Sequence, residues 1–152
     1  MSHRTLAFAG IVFALLLITI ARQAEAQASQ ITWAEDPQLA LTLAQGAGIP
    51  IVAYATSDHC GYCRKMERET WSHPAIIEQV EADFVPLRID AKRDAGMIAH
   101  LKVRAYPTTL VIAPEGRVLA VAPGFLEPGR LAGLLRGVRP AETMAQAATP
   151  QR

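Results

Sequence analysis

The stretch that most restricts the fold of this chain is "IPIVAYATSDHCGYCRKM", Ile49 to Met66. It is an apolar run that stops three residues before the only two cysteines, Cys60 and Cys63, which enclose Gly61 and Tyr62. After the pair, Cys63, Met66, Thr70 and Trp71 recur on one helical face, while Arg64, Lys65, Arg68 and Glu69 can face water. The pattern predicts a buried strand, a tight turn, and a helix that begins at or just before Cys60.

Two cysteines placed this way can close a disulfide across one helical turn. Exposed N–H groups and the positive end of the helix favour a thiolate at the first of them, which makes Cys60 the expected nucleophile. Cys63, one turn inside, is set to attack a mixed disulfide and release the product. A purely structural staple is a poor use of this spacing, because so short a loop barely constrains the unfolded chain. A metal clip needs more ligands than one C-x-x-C supplies, and His59, His73 and His100 lack the paired spacing of a zinc site. The expected metal assignment is therefore none. A soft-ion module that holds copper through both thiolates remains the rival from a different class.

Compartment bears on this chemistry. Arg4, the apolar run Leu6 to Ile20 and the small-residue motif Ala24-x-Ala26 have the order of a secretory signal, and the run is short for a membrane span. We expect residues 1–26 to be removed, with an anchored form as the alternative. Removal takes away Arg4, Arg22 and Glu25, so the formal charge of +1 becomes zero and no electrostatic argument for nucleic acid remains. Export to the periplasm would let a disulfide persist.

Along the rest of the chain, Asp36-Pro37 marks a helix start, and Leu39, Ala40, Leu43 and Ala44 recur at helical spacing up to Gly46 or Gly48. A helix restarts at Pro74 with Ile76, Ile77 and Val80. "FVPLRID" reads as a strand that Pro86 pushes toward an edge. Ala95 to Leu101 reads as a helix, "TTLVIA" and "RVLAV" as a hairpin around Pro114-Glu115-Gly116, and Leu131, Leu134, Leu135 and Val138 as a closing amphipathic helix. The tail 139–152 has little to bury and is expected to be disordered.

With these elements in order, the strand-CxxC-helix unit, the later "AYPT" and the final hairpin and helix resemble the thioredoxin superfamily over roughly Ile31 to Val138. The run "CGYCRKMERETWSHPAI" is similar to the C-terminal thioredoxin-like domain of DsbD-type interchange proteins. The resemblance implies an α/β thioredoxin fold over residues 27–138, with a mixed central sheet of four to five strands flanked by helices. It implies a cis Pro107, with the Tyr106 peptide offering hydrogen bonds to a substrate. It also suggests that Glu67 shares in proton transfer; the plainer alternative is a solvated glutamate paired with an arginine.

One departure matters: the family carries a buried aspartate six positions before the first cysteine, and here Tyr54 stands there. His59, Gly61 and Tyr62 are the expected rim of the substrate site, where a protonated His59 would favour the Cys60 thiolate. Tyr62 brings no positive charge between the cysteines, which points to a reductant more than to a strong oxidant. The expectation is a monomeric thiol:disulfide oxidoreductase without a cofactor. Its partners are substrate protein disulfides or thiols and a membrane or soluble thiol redox partner. Oxidation or isomerisation by the same residues is the alternative.

Overall fold

The computed structural model describes residues 30–138. The expected signal at 1–26 and tail at 139–152 lie outside the described residues. Asp36 caps the first helix, α1 (Pro37–Ala47), accepting from the Gln38 N–H at 2.8 Å, and Pro37 occupies its first turn. The helix ends at Gly48, whose φ of +66° is the left-handed conformation that glycine adopts without strain. Strand β1 (Ile51–Thr56) follows and leads to helix α2 (Gly61–Met66). This helix widens into a π turn over Glu67–Trp71 before α3 (Pro74–Asp83). Then come β2 (Val85–Asp90), α4 (Ala95–His100), β3 (Thr108–Ile112), β4 (Val118–Pro123) and α5 (Pro128–Gly137).

The four strands form one mixed sheet in the order β2-β1-β3-β4. β1 pairs parallel to β2 and antiparallel to β3, and all six of its residues are buried, as expected for a strand covered on both faces. Alternation along it divides the core. Val52 and Tyr54 point to one face, where Met66, Trp71, Ile76, Val80, Leu131 and Leu135 cover them from α2, the π turn, α3 and α5. Ile51, Ala53 and Ala55 point to the other face, packed with Ala40 and Ala44 of α1 and Ile98 of α4.

β2 is an edge strand, as Pro86 predicts. The Val85 N–H donates toward β1, to the Pro50 carbonyl, so the donor that proline lacks would have faced outward. That outer edge is partly occupied by Ala34, which bridges to Leu87 through Ala34 N–H to Pro86 O and Arg88 N–H to Ala34 O, each at 2.9 Å. The stretch before α1 thus contributes a single bridge and no full strand.

The stripe expected on α1 is only half correct. Ala40 and Ala44 are fully buried, but Leu39 and Leu43 are 52% and 50% exposed. Small alanines let the helix backbone approach the sheet closely, and the leucines beside them then turn outward. Pairing also continues past "RVLAV": β4 runs to Pro123, while Arg117 stays in the turn and pairs with Glu115 at 3.1 Å.

Candidate functional site

The site assembles at the end of the sheet where β1 delivers its C-terminus. Cys60 has extended backbone and is the N-cap of α2; its sulfur accepts from the Cys63 N–H at 3.0 Å. The two cysteines are joined in a disulfide, with Cα atoms 5.2 Å apart. Cys60 is partly exposed and Cys63 is 1% exposed, which matches the expected division into an accessible and a covered sulfur. His59, Gly61 and Tyr62 are all exposed around the pair, Tyr62 at 65%.

The Tyr106–Pro107 peptide is cis. The register sets Thr108 of β3 opposite Ala55 of β1, so Tyr106 and Pro107 arrive at the same end of the sheet as Cys60. Tyr106 and Cys60 are both partly buried against the same apolar cluster, and Pro107 is buried. The loop is held from two sides: Thr108 Oγ1 donates to Ala105 O at 2.7 Å, and Gly124 N–H donates to Pro107 O at 2.7 Å. Gly124 has a φ of +90°, which permits this tight approach.

The loop after Gly124 is in turn tied to the cysteine helix. The buried Thr70 hydroxyl donates to Leu126 O at 2.6 Å, and Lys65 Nζ lies 4.5 Å from the centre of the Phe125 ring. Lys65, expected to face water, is thus half-covered by an aromatic ring, although it also lies 3.8 Å from Glu69. Neither tie was foreseen from sequence; each joins residues more than fifty positions apart.

Behind the disulfide stands Tyr54, 0% exposed, whose hydroxyl donates to Cys63 O at 3.1 Å. Burial pushes its phenol up to about 12, an effect that Thr56 partly offsets. The group that replaces the family's aspartate is therefore a neutral donor at physiological pH and no proton acceptor. Its ring packs with Trp33 and Trp71 at centroid distances of 5.8 and 5.3 Å, so both tryptophans serve the core.

Glu67 makes the arginine pairing named above as the plainer alternative to proton transfer. Its carboxylate is engaged by Arg88 of β2, Oε1 to Nη2 at 3.0 Å, which favours the ion-pair alternative over a carboxylate free to serve Cys63. Arg88 itself was missed, yet its signal was present. In "VPLRID" burial alternates, so Arg88 lies on the opposite face of the strand from Leu87, and the register sets it beside Tyr54.

A family model described as "Thioredoxin-like domain" matches residues 37–139. The chain belongs to this thioredoxin-like family. Among curated relatives, the thiol:disulfide interchange protein DsbD of Klebsiella pneumoniae subsp. pneumoniae is 29% identical over 105 residues, 65% of this chain and 17% of that protein. DsbD of Yersinia enterocolitica is 31% identical over 93 residues, 59% of this chain and 16% of its own length. The chain therefore spans less than a fifth of these relatives.

Among solved structures, a thioredoxin from Thermus thermophilus superposes with a TM-score of 0.65 at 25% identity, covering 72% of this chain and 87% of that one. The DsbD C-terminal domain of Neisseria meningitidis in its reduced form gives 0.60 at 18% identity, covering 67% and 93%. This thioredoxin-like chain thus has an oxidoreductase fold and carries a Cys60–Cys63 disulfide at the start of α2.

Proposed function

We propose that the chain is an exported thiol:disulfide oxidoreductase that reduces disulfides of periplasmic proteins, with residues 1–26 as a cleaved signal, 27–138 as the working domain and 139–152 as a tail. The observation that carries the proposal is the partly exposed Cys60 at the N-cap of α2, joined to a covered Cys63. In the reduced form, the Cys60 thiolate attacks a substrate disulfide. A Cys60–substrate disulfide forms, and the other substrate sulfur leaves as a thiolate that takes up a proton. Cys63 then gives up its proton and attacks the Cys60 sulfur, which closes Cys60–Cys63 and releases the second substrate thiol. Two electrons have passed to the substrate, and a membrane or soluble dithiol must return them. Tyr106 and Pro107 provide the surface against which an extended substrate lies, with His59, Gly61 and Tyr62 as its rim.

One feature supports reduction as the direction: no cation separates the cysteines. The curated relatives, named thiol:disulfide interchange proteins, support exchange itself. The deciding experiment is the reduction potential of the mature protein in glutathione buffers, followed by thiol alkylation. A value near the roughly −270 mV of thioredoxin is expected, and one near about −120 mV would make the protein an oxidant. Export is tested by the mass of the chain recovered from a periplasmic extract, which should begin at Gln27.

A further inference from the structure

Glu67 and Arg88 come from different elements, the start of the π turn and the edge strand β2, and meet at 3.0 Å with side chains 35% and 37% exposed. Both act on the buried Tyr54 phenol, Glu67 and Arg88 with opposite sign. Tyr54 is the cross-strand partner of Arg88 and donates to the Cys63 carbonyl. Glu67 also lies one helical turn beyond Cys63, with its N–H on the same Cys63 carbonyl, so the ion pair stands beside Tyr54 and one turn from the covered cysteine.

Other charged and titratable groups around the cysteines are engaged elsewhere or lie on the open side. Arg64 bonds to Asp58 O at 3.3 Å, Lys65 sits over Phe125 and near Glu69, and the Asp90 carboxylate takes the Lys92 and Arg93 N–H groups. Asp58, His59, Arg68 and Arg104 are exposed, Glu127 is exposed on the loop before α5, and Tyr106 is half-buried.

We infer that Arg88 is a positioning residue for the thiol pair: by holding Glu67 it cancels a carboxylate that would otherwise suppress the Cys60 thiolate, and so keeps the nucleophile reactive near neutral pH. The inference rests on the exchange reading above, and its physics is simple. A lone carboxylate near a thiol disfavours the thiolate, a lone guanidinium favours it, and a closed pair leaves little net field. The pair thus acts as a balance that either partner's removal tips in a defined direction.

The test is a charge cycle on the reduced protein: wild type, Glu67→Gln, Arg88→Gln, the double variant and Arg88→Lys. Each is checked for its fold by circular dichroism, and the Cys60 thiolate is titrated by ultraviolet absorbance and by iodoacetamide rate at fixed pH. At that pH, Arg88→Gln should slow alkylation about threefold and Glu67→Gln should speed it about threefold, a modest effect because the pair is partly solvated. The double variant and Arg88→Lys should return close to wild type. Shifts of the same sign in both single variants would mean general loosening and overturn the inference, as would unchanged titrations in folded variants. Failure of the exchange reading would look different: wild type itself would show no reversible dithiol-disulfide transition in glutathione buffers.

Discussion

The Tyr54 hydroxyl donates to the Cys63 carbonyl at 3.1 Å, and the same carbonyl also accepts the Glu67 N–H, so both of its lone pairs are used. A phenol in this role fixes the helix start against β1 without offering a base. Tyr54→Phe keeps the ring among Trp33 and Trp71 and removes only the hydroxyl, with its bond to Cys63 O and its contact with Thr56. Because the carbonyl retains one donor, the expected loss is about 1 kcal/mol, read as a lower urea midpoint at unchanged slope.

The same hydroxyl predicts an alkaline limit. Its folded value of about 12 lies above the ordinary 10.0, so the native state holds the phenolic proton after the unfolded chain has lost it. The contribution is complete below pH 10 and is lost as pH rises through 12. Between those limits wild type should lose roughly 2 to 3 kcal/mol of stability from this group, and Tyr54→Phe should show a correspondingly shallower decline. Equal slopes for the two proteins in urea melts over this range would refute the assignment.

Cys60→Ser should abolish disulfide exchange, whereas Cys63→Ser should still attack and then accumulate the mixed disulfide. Non-reducing gels of each variant after incubation with an oxidised substrate protein separate the two outcomes. Accumulation in Cys60→Ser instead would reverse the roles of the two sulfurs.

Thr70 secures the Gly124–Glu127 loop through its 2.6 Å bond to Leu126 O, and that loop caps Pro107 O through Gly124. Thr70→Val preserves shape and leaves the Leu126 carbonyl without this donor. The expected loss is about 1 to 2 kcal/mol, with Thr70→Ser close to wild type, measured by thermal melting.

Leu131→Ala and Leu39→Ala make a contrast that the sequence does not foretell, since both leucines sit on apolar helical stripes. Leu131 is fully buried and its truncation should cost about 2 to 5 kcal/mol, whereas half-exposed Leu39 should stay within about 0.5 kcal/mol of wild type. Urea denaturation of both variants tests the assignment of faces.

The comparison of α1 with β2 explains what was readable in advance. A strand's two-residue period assigns faces directly, so the alternation of "VPLRID" carries the signal that sets Arg88 on the opposite face from Leu87, even though Arg88 was missed, and Pro86 told edge from centre. A helix's apolar stripe is broad, and which part of it touches the sheet depends on how closely the backbones approach; Leu39 and Leu43 lost that place to Ala40 and Ala44.

At the site, local spacing was sufficient for what lies within one helical turn. The sequence by itself determined the C-x-x-C at a helix start with Cys63 covered, because backbone geometry and apolar periodicity act over a few residues, while the structure set the first helical residue at Gly61 and made Cys60 the cap. Only the tertiary structure decided where the charges and loop ties go: Glu67 to Arg88 across the sheet, Thr70 to Leu126, Lys65 to Phe125, and Tyr54 onto Cys63 O. Those partners depend on strand order and side-chain reach, and a long flexible carboxylate or ammonium takes whichever opposite group the packed core brings within a few ångströms.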